Sequence, residues 1–365
     1  MRKTIVAGHI SLDISPKLDR LQGQNTLSDV FSPGKLVEIN GTDIHLGGAV
    51  ANTGLALRKL GADTALCAKI GNDAFGKLLL DILSPEQRDH IQIDDRYATP
   101  YSVILAVPGM DRIIFHDPGV NHYFRHDDIP DSMLEDAALF HFGYPPLMKS
   151  IYENQGEELI RIFRRMKEKR ILTSLDMALV NPETEAGRID WKTYLRRVLP
   201  LTDFFVPSFE ELFMMLRREE YIALTALGTK PLDMASVKSE CSALAKTVLE
   251  MGCKVVLIKC GSEGLYYRSS SEGIGEIAAA LPIRPEEWQG LEGFRSAYPV
   301  EKVVSAVGAG DVCIAGFLAS ALEGRPFREC AALAAAEGAC SVTAHDALSG
   351  LEPLDSLKKR FRIGA

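Results

Sequence analysis

Short apolar runs recur along the chain, separated by stretches whose apolar residues return every three to four positions. The runs predict strands over 4–7, 65–69, 139–142, 171–175, 204–206 and 255–258. The stretches between them predict helices over 50–60, 75–83, 153–169, 237–251, 312–322 and 328–342. This alternation argues for an α/β protein with a mainly parallel sheet and helices on both faces. No internal repeat, low-complexity tract or Pro/Ser-rich linker interrupts it.

Three stretches break the rhythm. From about Leu18 to Leu46, Ser32-Pro33-Gly34 precedes Leu36, Val37, Ile39 and Ile44 in roughly alternating order. From Tyr101 to His116, Val103, Leu105 and Val107 lead through Pro108-Gly109-Met110-Asp111 to Ile113 and Phe115, the pattern of a hairpin. These two predict strands outside the main sheet, forming a small β appendage whose apolar face and edge would also suit a homodimer. The third, from Ser269 to Val300 with Pro282, Pro285, Trp288 and several glycines, predicts a long surface excursion.

Composition removes several functions. Apolar residues make up 46% and charged residues 25%, an ordinary soluble balance, and no apolar run reaches the length of a membrane helix. The opening Met1-Arg2-Lys3-Thr4-Ile5-Val6-Ala7-Gly8 stops being apolar at His9, too soon for a signal peptide, and reads as a first strand. A net charge of −8 offers no positive field for nucleic acid. The basic run 164–170 closes a predicted helix, where cations complement the helix dipole. Seven scattered cysteines without CxxC pairs read as reduced thiols of a cytoplasmic protein. His122 and His126 have a spacing that would bind metal on a helix, but no third ligand accompanies them, and a solvated loop is the better reading.

Candidate chemistry concentrates at two glycine turns. Gly308-Ala309-Gly310-Asp311 opens the helix predicted over 312–322. The glycines let backbone amides approach an anion, and the helix start adds unpaired N–H groups and partial positive charge. A carboxylate there can accept a proton from an attacking hydroxyl. Taken alone, Asp311 reads equally well as the cap of a buried helix. Gly47-Gly48-Ala49-Val50-Ala51-Asn52 opens another helix, where Asn52 can donate to and accept from hydroxyls or simply sit on the surface. Asp13 follows the first strand, at a carboxyl end where α/β sheets place ligands, though a turn aspartate is the plainer reading.

In this order, and with Ala68-Lys69-Ile70-Gly71-Asn72-Asp73-Ala74-Phe75-Gly76, Gly119-Val120-Asn121 and Ile258-Lys259-Cys260-Gly261-Ser262-Glu263-Gly264, these motifs resemble the PfkB/ribokinase-like carbohydrate kinases over nearly the whole chain. The resemblance implies a single ribokinase-like domain over 1–365, a doubly wound sheet with a small β lid from segments near 14–46 and 99–118. It implies an ATP- and Mg2+-dependent phosphotransferase, with Asp311 as base and Gly308, Ala309 and Gly310 as anion hole. Asp13, Gly47, Gly48 and Asn52 would hold the acceptor, and Lys259, Gly261 and Gly264 would lie near the nucleotide. Ala49, where ribokinases usually carry Lys, is closer to the fructokinase type.

Two departures stand out. Ser305-Ala306 replaces the usual Asp-Thr, which removes a carboxylate ligand and weakens the case for a monovalent cation. Ser208-Phe209-Glu210-Glu211 stands for Asn-x-x-Glu; Glu211 is kept and would act on magnesium through water, while Ser208 is a poorer match. A nucleoside kinase of the same fold and a non-catalytic sugar- or nucleotide-binding protein stay open. A dinucleotide oxidoreductase is disfavoured, because Gly8-His9-Ile10-Ser11-Leu12-Asp13 lacks the glycine fingerprint.

Overall fold

The computed structural model describes residues 2–18, 33–107, 113–226 and 234–364. Its larger sheet has nine strands in the order β13-β12-β11-β10-β9-β8-β1-β4-β5. In chain order these are β1 (Lys3–Gly8), β4 (Thr64–Gly71), β5 (Ile91–Asp94), β8 (Ala137–Gly143), β9 (Leu172–Leu175), β10 (Phe204–Phe205), β11 (Val255–Lys259), β12 (Gly264–Ser269) and β13 (Glu292–Ser296). From β5 through β11 every pairing is parallel; β12 and β13 add an antiparallel hairpin at one edge. The chain winds outward from β1 to β4 and β5, then returns to place β8 on the other side of β1. That reversal makes the gap beyond β1 and β8 a topological switch point, the usual ligand crevice of an open α/β sheet.

The continuous apolar runs follow from burial of both sheet faces. On β1, Val6 packs into one core with Leu57, Leu66 and Phe317, while Ile5 and Ala7 face the other with Phe140 and Phe163. A second sheet has four strands in the order β3-β2-β6-β7: β2 (Ser11–Pro16), β3 (Thr42–Gly47), β6 (Tyr101–Leu105) and β7 (Ile113–Asp117). It stands apart from the main sheet, as the resemblance implied for a lid.

Two sequence expectations need correction. No strand covers Leu36, Val37 and Ile39, and Leu36 is 83% exposed; the strand begins at Thr42 and takes in only Ile44 of that alternation. Val37 alone of the first three packs into a small cluster with Leu18 and Val107, too little apolar contact to order a strand there. Ser32 and the hairpin turn Pro108-Gly109-Met110-Asp111 lie outside the described residues. The 269–300 stretch is not a surface excursion. It holds the helix Ile274–Ala280 and β13, and its Trp288 is fully buried, stacked on Phe327 with centroids 4.8 Å apart. The exposed Pro282 and Pro285 punctuate short elements around this buried ring. His126 contacts Glu158, and no group of three or more candidate metal ligands comes together among the described residues. The basic run at the end of the helix Glu157–Glu168 is spent on Asp131 and Asp203, through Arg165, Lys169 and Lys167. No helix among the described residues is long and apolar enough to cross a membrane.

One core carboxyl is left without a partner among the described residues. Glu337, on the helix Phe327–Ser341, is fully buried against Gly316, and neither carboxylate oxygen has a hydrogen-bond partner. Burial pushes this carboxyl up to about 8. The folded state therefore holds a proton that the unfolded chain releases near pH 4.3, so stability falls as pH rises from about 4.3 toward 8. Glu337→Gln should flatten the dependence of the urea midpoint on pH across that window and raise the midpoint at pH 8. An unaltered profile would show that Glu337 does not carry it.

Candidate active site

The parallel strands deliver their carboxyl ends to one rim of the sheet. His9 follows β1, Tyr144 follows β8, Asp176 follows β9, Ser208 follows β10, and Lys259 ends β11. Above this rim the helix Ala309–Leu322 begins, with Gly308 as its N-cap at φ 72°, a left-handed conformation that glycine adopts without strain. This geometry sets Asp311 in the first turn, and the Ala309 amide donates to the Ala306 carbonyl at 3.4 Å.

Asp311 is only 3% exposed, and side chains from two other elements hold its carboxylate. The Asn52 amide donates to Oδ2 at 3.1 Å and the Thr53 hydroxyl to Oδ1 at 3.1 Å; both sit on the helix Gly48–Lys59. The Tyr144 hydroxyl donates to Oδ2 at 2.7 Å. Asn52 is thus neither surface nor free for ligand alone; it is a buried partner of the carboxylate. Sequence reasoning named Asp311 and Asn52 and missed Thr53 and Tyr144.

The small sheet supplies the opposite wall. Asp13 pairs in register with His45 and Ser102, and Ser102 with His116, so one row of polar side chains crosses β3, β2, β6 and β7. Ser11 donates to Asp13 at 3.2 Å, and Ser102 contacts His116 Nδ1 at 3.1 Å. Burial pushes the Asp13 carboxyl above the usual carboxylate range, and the Asp311 charge adds to this while Ser102 and Ser11 oppose it. Gly47 is required for this placement, because a Cβ there would lie 2.3 Å from an Asp13 carboxylate oxygen. His9 meets His116 across the gap, Nε2 to Nε2 at 3.3 Å. Burial holds His9 well below the ordinary histidine range, with His116 and His122 adding.

At the other end of the rim, Lys259 Nζ lies 2.6 Å from Asp176 Oδ1, and a Cβ on Gly310 would stand 3.8 Å from that ammonium. Burial lowers the Lys259 pKa, but Asp176, Glu211 and Asp311 outweigh it and hold the ammonium above the ordinary lysine range. Burial pushes Asp176 up, Lys259 opposes, and Glu211 and Asp311 add. Asp176 was missed in the sequence, though it follows a predicted strand by the same rule that singled out Asp13. Ser208 is explained by local structure: it caps the helix Phe209–Leu216, its hydroxyl accepting from the Glu211 amide at 3.2 Å while its own amide donates to Glu211 Oε2 at 2.6 Å. Gly261 faces open space, whereas Gly264 opens β12 tight against the Arg295 carbonyl. Ser305, in place of the usual acid, accepts from the Val307 amide at 3.2 Å, and the Ser305 amide bonds to Val342.

A switch-point crevice, a small sheet over it, and a carboxylate at a glycine-turned helix start define a ribokinase-fold small-molecule kinase. The chain belongs to the PfkB family of carbohydrate kinases, which its residues 1–353 match, and is a phosphotransferase acting on a sugar hydroxyl. It is 26% identical over 300 residues to an uncharacterised sugar kinase of Archaeoglobus fulgidus, covering 81% of this chain and 98% of that one. It is 27% identical over 282 residues to a fructokinase of Rhizobium leguminosarum bv. trifolii, covering 76% and 71%. The structure of Arabidopsis thaliana ribokinase complexed with ribose and ATP superposes over 98% of both chains, with a TM-score of 0.70 and 19% identity.

The Lys259–Asp176 pair makes a stability prediction. Removing one member of a buried ion pair leaves the other uncompensated, at a cost of about 3–5 kcal/mol. Asp176→Ala should lower unfolding free energy by about that much in urea titration, and Asp176→Asn by distinctly less. Equal and small losses for both would show that Lys259 finds water or another acid instead.

Proposed function

We propose that this chain transfers the γ-phosphate of ATP to a hydroxyl of a sugar or sugar-like molecule, with Asp311 as general base. The observation that carries the reading is a buried carboxylate fixed by Asn52, Thr53 and Tyr144 at the start of a glycine-turned helix. A carboxylate has about four lone-pair positions, and three are taken, which leaves one on Oδ1 for an incoming hydroxyl. The acceptor O–H gives its proton to Asp311 as its oxygen bonds to the γ-phosphorus and the bond to ADP breaks. The amides of 308–310 would meet the charge on the transferred oxygens. Asp13 and the Gly47–Gly48 turn face the same cleft and suit the acceptor's other hydroxyls, with Asn52 at its floor.

Lys259 and Gly261 fit the nucleotide side, with the Lys259 ammonium toward its phosphates; Gly264 would act there only by shaping the turn. Glu211 commits Oε2 to the Ser208 amide, so Oε1 remains to hold a hydrated Mg2+ through water. When bound, that ion would neutralise phosphate charge. The exposed Ile114 and Phe115 suit a homodimer through the small sheet.

A panel of sugars, sugar acids and nucleosides, assayed by coupled ADP release with Mg2+, should yield at least one saturable acceptor. ATP binding without transfer to any of them would support a non-catalytic binding protein. Potassium should matter little, since Ser305 supplies no carboxylate to a cation. Rates in potassium and in a bulky organic cation at equal ionic strength should agree within about twofold, a difference of only about 0.4 kcal/mol; strong saturable activation by potassium would contradict this.

A further inference from the structure

Tyr144 is the least expected member of the site. It adopts φ 67° and ψ 49°, a left-handed conformation that costs a non-glycine residue about 1–2 kcal/mol. Such strain persists only where the surroundings enforce it. Here Gly143 is pressed against the start of the helix Gly48–Lys59, where a Cβ would stand 2.0 Å from the Ala49 Cβ. Beyond it, the chain turns at once into Pro145 and Pro146. The strained turn sends the phenol inward, where its ring lies 5.7 Å from His9 and its hydroxyl donates to Asp311.

Building on the assignment of Asp311 as base, we infer that Tyr144 is a positioning residue for phosphoryl transfer: its phenol pins Asp311 Oδ2 so that the remaining lone pair on Oδ1 faces the acceptor hydroxyl. Asn52 shares Oδ2, and both are fixed donors, since an amide N–H cannot accept and the phenol cannot ionise here. Burial, then the charges of Asp311 and Asp176, hold the phenol well above the ordinary tyrosine range. Among the described residues only Thr53 bonds Oδ1, and its hydroxyl also reaches the Asp311 carbonyl at 3.4 Å. The carboxylate therefore cannot rotate without losing two donors at once. The alternative geometry, in which the phenol merely fills the acceptor's place and must be displaced, predicts the opposite kinetics.

The charged groups facing Asp311 are Asp13 from β2, Asp176 after β9 and Lys259 at the end of β11, and Glu211 on the helix Phe209–Leu216 acts on the Tyr144 phenol. All of these remain when only the phenol oxygen is removed. Loss of a donor to a carboxylate raises its pKa. Tyr144→Phe should therefore lower kcat by about 10- to 100-fold, the loss of one charge-assisted hydrogen bond. It should leave the KM values for ATP and acceptor within about twofold and move the acid limb of the kcat–pH profile to higher pH. Site-specific 3,5-difluorotyrosine at position 144, a stronger donor in an otherwise native protein, should move that limb to lower pH, and it tests the inference even if the Phe variant folds poorly. Unchanged kcat and acid limb in both proteins, or a raised kcat with a lowered acceptor KM in Tyr144→Phe, would overturn the role. If Asp311→Asn retains full chemistry, the base assignment fails; if Asp311→Asn is inactive while both Tyr144 proteins behave as wild type, only this inference fails.

Discussion

The structure depends on how a charged carboxylate is kept inside. Asp311 is almost without solvent, and burying an unpaired carboxylate would cost far more than the fold's net stability. Its three donors come from the helix Gly48–Lys59 and from the end of β8, so satisfying one side chain ties together three elements that are distant in sequence. The same hydrogen bonds tie the first turn of the helix Ala309–Leu322 to its neighbours. The geometry of the proposed site and the packing of the sheet's roof are one constraint.

Charge is distributed around that centre with one ammonium among several acids. Lys259 touches Asp176 and feels Glu211 and Asp311 as well, while Asp13 closes the far side of the cleft. The end of the cleft proposed for the nucleotide thus satisfies itself through the Lys259–Asp176 pair. The end proposed for the acceptor is different: burial lowers the pKa of its imidazoles His9 and His116, which stand beside serines and Asp13, groups able to bind hydroxyls. That contrast suits the proposed division between a phosphate end and a polyol end of one cleft.

Much of this was legible in the sequence, and the losses have physical causes. Buried parallel strands read as continuous apolar runs, so β1, β4, β8, β9, β10 and β11 could be located within a residue or two. Asp311 and the Gly47–Gly48 turn were visible because glycine turns before helices are local patterns. Tyr144, Thr53 and Asp176 were not, because each matters through a partner far along the chain and has no local signature. Tyr144 in particular sits in a Gly-Tyr-Pro-Pro string that reads as an ordinary turn. Trp288 was misread for the converse reason: prolines and glycines around it resembled a loop, while its burial depends on Phe204, Phe317 and Phe327 from remote elements. Ser208 looked like a degraded motif, yet it is a good helix cap, and only the observed reciprocal bonds with Glu211 show why serine is sufficient there.

The central claim is that Asp311 removes the acceptor's proton, and single-turnover phosphoryl transfer by Asp311→Asn tests it most directly. An asparagine can turn its carbonyl oxygen to Asn52 and Tyr144 and offer its amide to the freely rotating Thr53 hydroxyl, so the fold and the anion turn should survive. The account predicts a chemical step slowed by about 10²–10⁴-fold, with ATP affinity and thermal midpoint close to those of the unaltered protein. A chemical step at the original rate in that folded variant would contradict it.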